Sequence, residues 1–218
     1  EQVALAAHES VKAKYGLAGM PPRRAEAPTC RLCANECRPG PDEYGYCGLR
    51  KNASGRMTPV ASPGTALAHI YLDPLPTNCC AAWFCRGSRE RGYNLAVFFY
   101  GCNFDCLFCQ NWHYRRESIR PAYVSPQSLA AAVDERTSCI CFFGGDPSSQ
   151  SAHALRTSEI ALRQAQGRIL RICFETNGRW NPGLLERAAR LSLQSGGCMK
   201  FDIKAWSPKI HYALTGFG

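Results

Sequence analysis

From Asn94 onward the chain repeats one pattern, a short apolar run followed by a stretch with helical spacing. LAVFFYG (95–101) reads as a buried strand by its short apolar run and closing glycine. CICFFGG (139–145), RILRICFETNG (168–178) and CMKFDIKAW (198–206) read the same way. Between them, SPQSLAAAVDER (125–136) opens with a Ser cap and Pro at the first helical position. Residues 151–166 are helix-like, and NPGLLERAARLSL (181–193) begins with an Asn cap and Pro at the next position. Apolar strands alternating with helices predict an α/β fold built on a parallel sheet or barrel. About four strands and three intervening helices fit before Gly218.

The residues ahead of this pattern are different. Residues 1 to about 27 form a helical lead that ends at Pro21-Pro22, and 28–92 are rich in Cys, Pro and Gly with little periodicity. The division predicted is therefore 1–92, a helix and a loop-rich metal-binding module, and 93–218, the α/β unit. A chain of 218 residues can hold one sizeable core plus such a module. Hydrophobic content of 45% and a mean hydropathy of −0.26 are those of a globular protein. The longest strongly apolar stretch, Leu95–Tyr100, is far too short to cross a bilayer. Glu1 and the absence of a basic stretch before Val3–Ala7 argue against a signal peptide, so the expected location is cytoplasmic with no membrane partner. The net charge of +9 is spread along the chain apart from Arg86/Arg89/Arg91 and Arg115/Arg116, which does not favour nucleic acid as partner.

Fourteen cysteines in a chain of this length and expected compartment point to metal, not disulfides. They fall into Cys30-x2-Cys33-x3-Cys37 with Cys47, then Cys79, Cys80 and Cys85, then Cys102-x3-Cys106-x2-Cys109. Cys139, Cys141, Cys173 and Cys198 lie singly or alternating in apolar runs and read as small buried hydrophobes. The first set has enough thiolates for a closed structural site, either zinc or an auxiliary iron–sulfur cluster. Cys79, Cys80 and Cys85 either ligate a further metal, donate to the first site, or pack with Trp83 and Phe84.

Each remaining motif follows the C-terminal end of a predicted strand, the edge where parallel α/β folds build their active sites. Cys102–Cys109 follows the first, Gly144-Gly145-Asp146-Pro147 the second and Glu175-Thr176-Asn177-Gly178 the third, while Asp202 and Lys204 end the fourth. The triplet supplies three thiolates to a four-iron cluster and leaves one iron open to chelate the amino and carboxylate groups of a methionine. Zinc, which usually takes a second CxxC pair, and a ferredoxin cluster, which needs a fourth ligand, fit less well.

Cys102-Asn-Phe-Asp-Cys106-Leu-Phe-Cys109 resembles the CxxxCx(aromatic)C signature of the radical S-adenosylmethionine (SAM) superfamily. GCNFDCLFCQN and the upstream CRLCANEC…GYCGLR resemble the pyruvate formate-lyase activating enzyme-like branch, including AmmeMemoRadiSam-type proteins, from about Cys30 to the end. The resemblance implies a partial (β/α) barrel, incomplete at the C-terminus, with a [4Fe–4S] cluster on Cys102, Cys106 and Cys109. It also implies reductive cleavage of SAM to methionine and a 5′-deoxyadenosyl radical that takes hydrogen from the substrate. It places Phe108 by the adenine, Gly144, Gly145 and Asp146 at the SAM amino group, and Glu175, Thr176, Asn177, Asp202 and Lys204 near its carboxylate, where a monovalent cation can bind. Asp146 stands where the family usually has Glu, one methylene longer. The resemblance further implies an external one-electron donor of flavodoxin or ferredoxin type and a protein substrate to activate or modify. The alternatives weighed are a cobalamin-dependent radical methyltransferase and a non-catalytic iron–sulfur or zinc protein for binding or electron transfer. Of the histidines, only His113 is near the triplet in sequence, and Trp112 and Tyr114 are expected to cap the cluster loop.

Overall fold

The structure, a computed structural model, describes residues 2–62, 64–90, 92–112 and 122–217. Helix α1 (Gln2–Ala13) leads into an irregular segment and a hairpin of β1 (Arg50–Ala53) and β2 (Arg56–Pro59). Then come β3 (Ala66–Pro74), β4 (Tyr93–Phe99), β5 (Ala122–Val124), α2 (Pro126–Ala131), β6 (Thr137–Gly144) and α3 (Ser151–Gln164). β7 (Arg171–Thr176), α4 (Pro182–Ser195), β8 (Met199–Phe201) and α5 (Pro208–Thr215) complete the described elements. Among the described residues no helix is long and apolar enough to cross a membrane.

The four predicted strands are present as β4, β6, β7 and β8, side by side and parallel. The sheet is nevertheless mixed and, among the described residues, has six strands in the order β5-β3-β4-β6-β7-β8. β3 comes from the stretch read as loop-rich, and it pairs antiparallel with β4 from Ala68↔Phe99 to Pro74↔Tyr93. Its inward positions are small, with Ala66 and Ala68 fully buried, so a side of the sheet forms there without a strong apolar signature. The expectation of about four parallel strands is corrected accordingly, and the sheet draws on residues from both sides of the 92/93 division.

Alternation along the strands separates two chemistries. Leu95, Val97 and Phe99, Ile140 and Phe142, and Ile172 and Phe174 face α2, α3 and α4 and form the main core with Leu129, Leu155, Ala161 and Ala188. The Phe99, Phe142 and Phe174 rings stack across three strands at centroid spacings of 5.7 and 5.2 Å. The opposite face of the same strands carries Phe98, Cys141, Phe143, Cys173, Glu175 and Lys200. Residues 75–90 lie against that face, and Glu90 is anchored there through paired hydrogen bonds from Arg171 of 2.9 and 3.0 Å.

The helix starts follow the sequence. The Ser125 hydroxyl accepts from Ser128 N–H at 3.0 Å, and the Asn181 side chain accepts from Gly183 and Leu184 N–H. α2 ends at Ala131, earlier than the predicted 136, because Asp134 draws the chain into its own turn. Its carboxylate accepts from Arg136 N–H and the Thr137 hydroxyl, a local alternative to helical bonding.

Candidate active site

The parallel strands end at one edge, and each exit carries a motif. One cavity of about 610 Å³ takes in Cys102, Cys106, Cys109 and Phe108 from the β4 exit, and Gly144, Gly145 and Asp146 from the β6 exit. Glu175, Thr176 and Asn177 from β7 and Asp202 and Lys204 after β8 line it too. Chain direction explains the convergence, since parallel strands release their loops on the same side.

The cluster loop is fixed by elements distant in sequence. Asp105 N–H donates to Thr215 O at 3.1 Å and Leu107 N–H to Leu214 O at 3.0 Å, tying the loop to α5. From α1, buried His8 places Nδ1 3.1 Å from Asp105 Oδ2 and Nε2 3.1 Å from Ala213 O. Asn103 is fully buried. Its side chain donates to Arg179 O at 2.6 Å and accepts from Asn177 Nδ2 at 2.8 Å, while its carbonyl accepts from Asn35 Nδ2 at 2.8 Å. These bonds join the upstream segment, the cluster loop and the turn after β7.

Cys102 is buried, and its sulfur accepts the Phe104 N–H at 3.4 Å. Burial, and then the charge of Asp146, push its thiol well above the ordinary range. A buried thiolate needs a compensating positive centre, and iron supplies one. Among the described residues no group of three or more His, Cys, Asp or Glu side chains is arranged to hold a single metal ion. A four-iron cluster makes another demand, because each thiolate takes its own iron and the sulfurs spread around a cube instead of converging. Three cysteines on one cavity wall fit that demand. Burial raises the Cys33 and Cys47 thiols, Cys47 to about 12, and Cys30 and Cys37 lie near enough to add to both. The structure does not bring them around one point.

The glycines form a cradle of backbone. Gly144 has φ +110°, and a Cβ there would lie 2.6 Å from both the N and O of Phe99. A Cβ on Gly145 would lie 2.1 Å from the Gly101 carbonyl oxygen. Gly145 N–H donates to Phe99 O at 2.8 Å and Asp146 N–H to Gly101 O at 3.0 Å. The β6 exit is thus laced to the β4 exit with no room for side chains.

Asp146 is held by the protein's own turns. It lines the cavity but is only 3% exposed. Its carboxylate accepts from Ser148 N–H at 2.9 Å, Asn177 N–H at 2.7 Å and the Thr176 hydroxyl at 2.9 Å. Burial pushes its carboxyl above the usual range against those bonds. The shorter side chain therefore holds the turn after β7 against the cradle.

Cys139, Cys141 and Cys173 are buried, as their apolar runs imply, whereas Cys198 is half-buried, and Cys141 also meets charged groups. Lys200 Nζ lies 3.3 Å from Cys141 Sγ and 2.6 Å from Glu175 Oε1. The same oxygen takes Cys80 Sγ at 3.3 Å, and Cys80 lines the cavity. Burial opposes the Lys200 charge, but Cys141 and Glu175 outweigh it and hold the ammonium above its ordinary value. Sequence reasoning passed over Lys200, although the period of two in CMKFDIKAW sets it on one side with Asp202 and Lys204. Lys204 pairs with Asp202, and its Nζ lies 5.8 Å from the Phe108 ring centroid. Cys79 and Cys85 stand outside the cavity lining but close enough to raise the Cys139 thiol. His113, Tyr114, Arg91, Arg115 and Arg116 lie outside the described residues, and Trp112 is 43% exposed.

A search of curated proteins finds no match to the chain. The family model described as "Radical SAM superfamily" matches residues 96–216, more than half of the chain and the span from the cluster strand through α5. A cysteine triplet at a strand exit, facing a glycine cradle across one cavity, is the arrangement a [4Fe–4S] cluster with SAM requires, and the chain belongs to the radical SAM superfamily.

Proposed function

We propose that the protein cleaves SAM reductively and takes a hydrogen atom from a residue of a partner protein, in the manner of activating enzymes. The chemistry that such a cluster supplies when bound is one-electron reduction of the SAM sulfonium, giving methionine and a hydrogen-abstracting 5′-deoxyadenosyl radical. Cys102, Cys106 and Cys109 would hold three irons. The Gly144-Gly145 backbone admits the amino-acid end of SAM closely, with Asp146 positioning Thr176 and Asn177 behind it. Phe108, 52% exposed, offers a ring face to the adenine, and Lys204 offers a cation to the carboxylate. The observation that carries the reading is the shared cavity of triplet, cradle and strand-end residues.

A protein substrate is supported by what flanks that cavity. Trp83 is 83% exposed three residues from Cys80, and Trp206 is 97% exposed two residues from Lys204. Exposed aromatic side chains suit an entering peptide segment better than a small metabolite. Electrons would come from a flavodoxin- or ferredoxin-type donor. The test is anaerobic reconstitution with iron and sulfide, then dithionite and SAM, measuring 5′-deoxyadenosine. Supplying deuterated cell protein or deuterated metabolites separately then identifies the hydrogen source. Deuterium in 5′-deoxyadenosine with the metabolite fraction alone would refute the protein substrate.

A further inference from the structure

We propose that Cys173 and Cys198 form a redox-active dithiol that closes into a disulfide across β7 and β8 by exchange with a small-molecule disulfide. Cys173 on β7 stands beside Cys198, the residue just before β8, where the hydrogen bond from Phe174 N–H to Cys198 O, 3.0 Å, sets the register. Their sulfurs are 3.9 Å apart on the face of the sheet away from the helices. Neighbouring strands run about 4.8 Å apart, inside the Cα separations of roughly 4.4–6.8 Å that disulfides accept. Side-chain rotation can therefore close the pair without parting the strands.

The pairing is also selective. Cys141 sits opposite Cys173 on the other side, at the paired position of β6, but its thiol is engaged by Lys200 at 3.3 Å and Glu175 at 3.6 Å. Cys173 is 6% exposed whereas Cys198 is half-buried, so an incoming disulfide meets Cys198 first. Neither belongs to the cluster triplet or to the upstream cysteine set. The Cys198 thiolate attacks one sulfur of the incoming disulfide, forming a mixed disulfide and releasing one thiolate. Cys173 then attacks the Cys198 sulfur, its thiol proton passing to solvent, and the second thiolate leaves. Two protein thiols are oxidised by two electrons, and the small disulfide is reduced to two thiols.

The location gives the bond a consequence. β8 pairs with β7 through three residues, and β8 and the residues after it deliver Lys200, Asp202 and Lys204 to the cavity. A covalent tie two residue pairs below Glu175 and Lys200 would fasten that strand and couple thiol redox state to the site.

Peptide mapping tests this without any measurement of SAM cleavage, so it can fail while the proposed activity stands. The reconstituted full chain is held anaerobically in glutathione buffers of increasing oxidised fraction, then alkylated and digested. A peptide joining Cys173 to Cys198 is expected as the first crosslink to form. In Cys173→Ser a single glutathione should remain on Cys198, and in Cys198→Ser none should appear on Cys173. Absence of the Cys173–Cys198 peptide from the wild-type chain, or Cys198 bonded elsewhere, overturns the proposal, as does an unmodified Cys198 in Cys173→Ser.

Discussion

Replacing Gly145 with alanine would place a methyl carbon 2.1 Å from the Gly101 carbonyl oxygen and 2.7 Å from its carbon. Both atoms are backbone, so no side chain can swing aside. Ordinary contact begins near 3.4 Å, and reaching it requires the β4 and β6 exits to part. The displacement is roughly 1 Å, enough to misplace reacting groups by an amount that typically costs about 10²-fold in rate. Overpacking of this kind costs about 1–3 kcal/mol of stability, so the variant should still fold. It should retain iron and lose about 10²-fold in 5′-deoxyadenosine formation under saturating SAM. Gly183→Ala is the control, because a Cβ there meets only Asn181 Oδ1 at 3.5 Å, and it should match the parent. Anaerobic single-turnover assays with iron analysis decide it. A Gly145→Ala enzyme with the parent rate would refute the cradle argument.

Cys106→Ala should remain folded yet form no 5′-deoxyadenosine, since three thiolates are needed to hold the cluster; the parent rate in this variant would remove the central assignment. Gly144→Val should weaken SAM binding more than Asp146→Asn does, because Gly144 faces the Phe99 backbone while the Asp146 carboxylate serves Ser148, Thr176 and Asn177. Equilibrium binding measures this, and the reverse order would put Asp146 on the ligand. Burial holds the His153 ring below its ordinary value near 6.5, with Nε2 2.8 Å from Val124 O. The folded state therefore binds that proton more weakly than the unfolded one. The resulting stability is complete above about 6.5 and is lost as pH falls towards the folded value. Denaturation at pH 7 and pH 5 should show a larger loss for wild type than for His153→Gln, and equal losses would contradict the burial argument.

The parallel strands and the edge carrying the motifs were legible in the sequence because each depends on local pattern. Apolar runs closed by Gly101 and Gly178, caps at Ser125 and Asn181, and the spacing of Cys102, Cys106 and Cys109 are all short-range signals. β3 escaped because its fully buried positions are Ala66 and Ala68, too small to show a pattern, and its partner β4 begins nineteen residues after it. Asp146 could be read as a strand-end carboxylate, but its direction depends on Thr176 and Asn177, thirty residues on, offering donors within a buried turn. The contact of α1 with the cluster loop through His8 and Asp105 spans 97 residues and has no local trace. Likewise, Cys141, Cys173 and Cys198 look like isolated small hydrophobes along the chain. Their common row exists only once β6, β7 and β8 are in register, because hydrogen bonding between strands sets which residues become neighbours.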